Sequence, residues 1–193
     1  MTFLRHVYVK NTDKVMMTVE GSDFRNLDLR NANFAGAYLS EVDFRGSDLR
    51  GALFRCADIR GACFDGAKLP KFQIPQTKSL IVYKKIYAGG TDSPTIYAIA
   101  KLRIPARAKR TASLIGNKCR AERAIVEEIV SYSYYAKVNN LPLLSGMSTH
   151  NPNFIYEVGK EVKPTSPYNG DWRVECTSGI HFFMNRRDAE EYH

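Results

Sequence analysis

Long apolar runs are missing from this 193-residue chain. Nothing in it approaches the roughly 18 residues that a membrane-spanning helix needs, which excludes a helical membrane protein. Cysteine is scarce: Cys56, Cys63, Cys119 and Cys176 form no C-x-x-C pair and are too few for a disulfide framework, so free thiols are expected. Histidine is equally sparse, with His6, His150, His181 and His193 scattered along the chain, and no Cys/His spacing marks a metal site. No cofactor-binding motif occurs. The opening MTFLRHVYVKNTDK lacks the apolar core of about 7–15 residues of a secretory signal, and the sequence therefore predicts a cytoplasmic protein. Disorder is not expected, because 44% hydrophobic and 25% charged residues are globular proportions.

Acidic side chains are also in deficit, 20 against 28 basic ones, for a net charge of +8. The excess is local. Residues 22–70 carry seven basic and seven acidic side chains, whereas residues 101–123 hold Lys101, Arg103, Arg107, Lys109, Arg110, Lys118, Arg120 and Arg123 against the single acid Glu122. Such a cluster is the electrostatic footprint of an anionic partner, and it makes these eight residues the candidate partner-binding site.

What the chain does have is a repeat. Every fifth residue from position 24 reads Phe24, Leu29, Phe34, Leu39, Phe44, Leu49, Phe54, Ile59, Phe64, Leu69 and Ile74. Two places before each of these the residue is small or β-branched, except at Leu27 and Phe72. A period of five suits neither helix nor flat strand, since it rotates about 140° per unit on the one and alternates faces on the other. Only a coil that turns a corner in every unit returns each fifth residue to the inside. Gly36, Gly46, Gly51, Gly61 and Gly66 all fall two places after a central residue, where a corner needs permissive dihedrals.

Segments such as SDFRN, ANFAG, VDFRG, ADIRG and ACFDG resemble the pentapeptide-repeat family. The resemblance implies a right-handed quadrilateral parallel β-helix with four units per coil over residues 22–76. Eleven units would then make roughly 2.75 coils in a stack about 13 Å tall. Bare ends would expose unpaired backbone and a ring of apolar side chains, so residues 1–21 are expected to cap one end and the chain after Pro75 the other. Asp before and Arg after the central residues alternate on the same faces, which argues against the acidic, DNA-like surface of some family members and for a self-neutralised spacer. Cys56 and Cys63 lie two units apart, on opposite sides of a four-sided coil, too far to bridge.

Residues 77–193 form a second, basic α+β domain by this reading. LIVYKKIYA and TIYAIAKLRIP predict a hairpin around the turn-rich GGTDSP. Residues 119–131 place Ala121, Ala124, Ile125, Ile129 and Val130 on one side, which favours a helix. FIYEVGKEVKP predicts a strand or hairpin, GIHFF a strand, and Asn185 an N-cap with Asp188 three places on, opening a terminal helix. LRIPARAKR, KCRAERAIVEEI, FIYEVGKEV and CTSGIHFF together resemble an uncharacterised domain that follows pentapeptide repeats in proteins of phages and large DNA viruses, implying a viral origin but no activity.

The function expected from the sequence is that of a non-enzymatic viral accessory protein that docks an acidic surface of a host or viral protein, as in host takeover or anti-defence. Nucleic-acid binding through residues 101–123 is the alternative, with Tyr132, Tyr134 and Tyr135 as stacking groups. A third reading is an enzyme that uses Cys119, Cys176 or His181 as nucleophile and base, or an ADP-ribosyltransferase-like site with Glu190 or Glu191. The sequence leaves dimerisation open.

Overall fold

The computed structural model describes residues 19–88, 96–132 and 141–192. The chain is mainly β and divides into two compact units, one of residues 19–72 with Leu114–Gly116, the other of residues 73–113 and 117–192. The proposed cap at residues 1–21 falls almost wholly outside the described residues.

In the repeat unit, residues twenty apart lie side by side as isolated parallel bridges, from Asp23 with Asp43 to Asp48 with Lys68. The backbone pairs in the same register: Phe24 N donates to Asp43 O at 2.8 Å and Asp43 N to Ser22 O at 3.0 Å. The chain thus completes one circuit in four five-residue units. All the central side chains from Phe24 to Leu69 are buried except Leu29 and Leu69, which are half-buried. Phenylalanine occupies every second centre from 24 to 64, so rings stack over one another at Phe44–Phe64 and Phe34–Phe54, with centroids 5.0 and 5.1 Å apart. Phe44 meets Phe54 edge-on across the interior at 5.9 Å.

The corners are four-residue turns, and all but the one at Asn26 are closed by a hydrogen bond from the next small residue back to the central one, as in Ala37 N to Phe34 O at 3.0 Å. The third turn residue has positive φ at ten successive corners, positions 21, 26, 31, 36, 41, 46, 51, 56, 61 and 66. This is the pattern of a type II turn, which favours Gly or Asn there. Four corners are not glycine: Asn26, Asn31, Glu41 and Cys56. Each has a glycine twenty residues away in its column, and a Cβ added at Gly46, Gly51 or Gly61 would run into the side chain of Asn26, Asn31 or Glu41.

The outward residues pair within a unit. Arg25, Arg30, Arg45, Arg50 and Arg60 each bind the Asp two places earlier at 2.6–2.7 Å, and that carboxylate also accepts the arginine's backbone N–H. These guanidinium hydrogen bonds hold all five Asp below the ordinary carboxylate value, Asp23 and Asp48 at about 2. Cys56 and Cys63 are free thiols.

The second unit is built on a curled antiparallel sheet. Its strands are β1 (Leu80–Ala88), β2 (Ile96–Ile104), β5 (Ala124–Tyr132), β6 (Pro142–Leu143), β7 (Ser145–Ser148), β8 (Ile155–Glu157) and β9 (Glu161–Val162), in the order β6-β5-β2-β1-β7-β8 with β9 also on β5. A small sheet of β3 (Arg110–Ala112), β4 (Cys119–Ala121) and β10 (Ile180–Phe182) adjoins it where Tyr83 and Phe183 exchange backbone hydrogen bonds. β1 and β2 pair along their full length, as predicted, although the GGTDSP turn lies outside the described residues. The terminal helix α1 (Arg186–Glu191) also forms where expected, with Asn185 Oδ1 accepting from Asp188 N, and buries Ala189 against Ile99 and Phe183.

Two expectations are corrected. Residues 119–131 are not a helix but strands β4 and β5, and a six-residue helix is the only one among the described residues, so this unit is mainly β rather than α+β. A register shift opposite Lys101 and Leu102 moves the buried positions of β5 from Ala124 and Val126 to Ile129 and Ser131. One bulge thus gives alternating residues the spacing of a helix face, and the β-branched Ile125, Val126, Ile129 and Val130 favour the strand. FIYEVGKEVKP is strand, as one of its two readings had it, but not a hairpin: β8 pairs with β7 and β9 with β5, on either side of a turn at Gly159.

The corners predict a pair of opposite outcomes in urea denaturation. Gly51→Ala forces a left-handed alanine and destabilises the chain by about 1–2 kcal/mol, whereas Cys56→Gly relieves one and stabilises it by about 0.5–1 kcal/mol. The Asp–Arg pairs predict acid sensitivity. Because the folded carboxylates titrate below the unfolded ones, their contribution is complete above the ordinary value of 3.8 and disappears as pH falls through about 2. The thermal midpoint is expected to drop across that window, and less so in high salt.

Candidate functional site

The structure disperses the basic stretch instead of presenting it as one surface. Lys101 faces Glu128 at 3.8 Å and Arg103 binds Glu127 at 2.5 Å, both from β2 to β5, and Arg123, just before β5, binds Glu161 of β9 at 3.0 Å. Arg110, Lys118 and Arg120 are buried. Arg107 and Lys109 remain exposed. The eight candidate partner-binding residues therefore do not form a continuous patch. Alternation along short strands sends some inward, and acids distant in sequence meet the others.

Arg110 donates to the carbonyls of Pro105 and Ala106 at 3.3 and 3.2 Å, closing the turn before β3. Arg120, on β4, is fully buried. Its guanidinium donates to the carbonyl oxygens of Asn169, Asp171, Val174 and Glu175 at 2.5–3.3 Å. Four backbone acceptors on one fork fold residues 169–175 around it and fix the approach of the next residues, Cys176 to Ser178.

Those residues form a wall of a cavity of about 560 Å³. The cavity lies between the β1-β7-β8 edge of the large sheet, which contributes Lys84, Ser148 and Tyr156, and the segments 164–166 and 176–181, with Lys118 and Tyr192 alongside. Hydroxyls are plentiful: Ser148, Thr165, Ser166, Thr177 and Ser178 all line it. Among the described residues no Asp or Glu does. Two lysines thus face a hydroxyl-bearing, partly apolar cavity with no lining carboxylate, in the volume range of small-ligand sites.

The electrostatics follow from that imbalance. Burial, and then the charge of Lys118, lower Lys84 to about 8. Burial alone would lower Lys118 too, but its hydrogen bonds to Tyr192 Oη at 2.5 Å and Cys176 Sγ at 3.2 Å outweigh this and raise it. The same ammonium lies 4.5 Å from the Tyr192 ring centroid. His150 is lowered by burial and by both lysines. His181 falls to about 4, chiefly through burial, with Nε2 2.7 Å from Thr177 O. Both imidazoles are neutral at pH 7.

Of the three catalytic candidates, Cys176 and His181 share this cavity and Cys119 does not. Cys119 is buried, and burial pushes its thiol up to about 12, the property of a core cysteine rather than a nucleophile. Glu190 and Glu191 pair with Arg186 and Arg187 along α1 at 2.6 and 2.7 Å. Tyr134 and Tyr135 lie outside the described residues. Sequence reasoning passed over Lys84, although a Lys-Lys pair inside the apolar strand LIVYKKIYA was a usable signal. Alternation sends the two to different surroundings, and Lys85 donates to the carbonyls of Glu190 and Tyr192 at 3.1 and 3.0 Å, at the end of α1.

Thiol labelling of the folded chain is expected to modify the exposed Cys176 and to spare Cys119 until denaturant is added; equal rates would contradict the burial described. Arg120→Met leaves four buried carbonyls without their donor, at about 1–3 kcal/mol each when fully unsatisfied. Allowing for local relaxation, a loss of at least about 3 kcal/mol is expected in urea denaturation.

Residues 19–51 and 32–69 match pentapeptide repeats, in eight copies. No curated protein and no solved structure matches the chain. Residues 70–189 match the family of unknown function DUF5758, and since this is more than half of its length, the chain belongs to that family.

Proposed function

We propose that the chain is a non-enzymatic accessory protein that works by binding, and that it takes an acidic side chain of a partner protein into the lysine-lined cavity of its second unit. In this reading the repeats form a right-handed quadrilateral parallel β-helix, in keeping with the twenty-residue register of the bridges, and act as a rigid, self-neutralised spacer. The viral setting implied by the resemblance of the second domain belongs to the same reading. The observation that carries the proposal is the pairing of Lys84 and Lys118 in a cavity without a lining carboxylate among the described residues. A buried cation without a counter-charge favours an incoming anion, and wall hydroxyls supply the remaining hydrogen bonds. The acidic partner expected from the sequence is retained, but its seat moves from the 101–123 surface to the cavity.

Titration of a fluorescent hexaglutamate peptide is the test. Binding is expected to weaken with salt and to fall at least tenfold in Lys84→Met, while Arg107→Ala with Lys109→Ala leaves it unchanged. The opposite pattern contradicts the cavity as the seat. Binding of a single-stranded oligonucleotide but not of the peptide replaces the reading with nucleic-acid recognition.

A further inference from the structure

The two lysines of the cavity are not equivalent. Lys118 is committed as an ammonium by its hydrogen bonds to Tyr192 and Cys176 and its place over the tyrosine ring. Lys84 Nζ has no hydrogen-bond or ion-pair partner among the described residues, lines the same cavity and feels the charge of Lys118. A partly buried lysine beside a second cation is a setting in which an amine becomes a nucleophile near neutral pH.

We propose that Lys84 is a reactive amine that captures a small 2-oxo acid in the cavity as an imine, and that the adduct closes the seat to the acidic partner. The inference rests on the reading of the cavity as an anion site. Lys118 holds the carboxylate of the 2-oxo acid and so sets its carbonyl within reach of Lys84. The lone pair of Lys84 Nζ forms a bond to the carbonyl carbon while the C=O π pair moves to oxygen, which takes up a proton, and the nitrogen gives one up. The carbinolamine then loses its hydroxyl as water when the nitrogen lone pair closes the C=N bond and the nitrogen sheds its last proton on neutralisation. Amine and ketone become imine and water, with no oxidant or reductant required.

The surroundings suit each step. With its value near 8, about a tenth of Lys84 is neutral at pH 7, against about one part in three thousand for a lysine at its ordinary value. His150 and His181, both neutral, line the cavity as proton carriers. The other ionisable groups on its walls are Lys118, Tyr156, Cys176 and Tyr192. Tyr156 is pushed further up by burial, so it remains protonated.

The test is reductive trapping on the full chain, with pyruvate and cyanoborohydride, read by intact mass and peptide mapping. A single adduct at Lys84 is expected, with a rate rising through a midpoint near pH 8 and slowed by lactate, which has the carboxylate but no ketone. Lys84→Arg is expected to abolish the adduct while leaving the unfolding midpoint unchanged, and Lys118→Met to slow trapping of pyruvate more than that of acetone. Trapped protein is expected to lose at least tenfold in affinity for hexaglutamate. Labelling spread over exposed lysines, or equal rates with pyruvate and acetone, overturns the proposal, and so does unchanged peptide binding after trapping. Peptide binding without an adduct at Lys84 refutes this inference alone; failure of both refutes the anion site as well.

Discussion

The second unit is organised around a charge that has been taken out of water and given only backbone to bind. Arg120 lies at the centre of β4, and the carbonyls of Asn169, Asp171, Val174 and Glu175 turn inward to its guanidinium. An arginine fork can saturate several carbonyls at once, which no neutral side chain of that size does. The long irregular segment after β9 has little other secondary structure to hold it. Because that segment ends at Cys176, the position of one wall of the cavity is set by this contact, and so is the separation of the wall from Lys84 on β1.

The repeat unit meets the same demand, an ordered chain with little regular strand, by another route. Its units share an apolar side chain inward and a left-handed corner, and five of them add an Asp–Arg pair outward. At Asn26, Asn31 and Glu41 the pattern tolerates a non-glycine corner because the glycine in the same column leaves room for the longer side chain. Five units cancel their own charge in an Asp–Arg pair, and residues 22–70 balance seven basic against seven acidic side chains, so this half presents little long-range field. Most of the net positive charge of the chain is accordingly carried by the second unit, where some of it is buried.

Local rules were legible in the sequence where one residue type answers one geometric need. The five-residue ladder, the glycine corners, the β1–β2 pair and the Asn185 cap all follow from side chains acting on neighbours in the chain. The bulge in β5 was not legible, because the register shift depends on the partner strand, and it made a strand imitate a helix. Nor was the fate of the basic cluster: Arg103 and Glu127 are far apart in sequence and meet only once β2 pairs with β5. Cys119 and Cys176 looked alike as letters, yet one is core and the other lines the cavity. Lys84 stood in an apparently apolar strand, and only the fold places it in one cavity with Lys118 and no acid among the lining residues.

The account turns on whether an anion enters that cavity. A crystal soaked in selenate, with its anomalous signal, locates such an ion directly. The account predicts a peak within about 4 Å of Lys84 Nζ and Lys118 Nζ. Peaks confined to Arg107, Lys109 or other exposed cations, with the cavity holding only water, would contradict it.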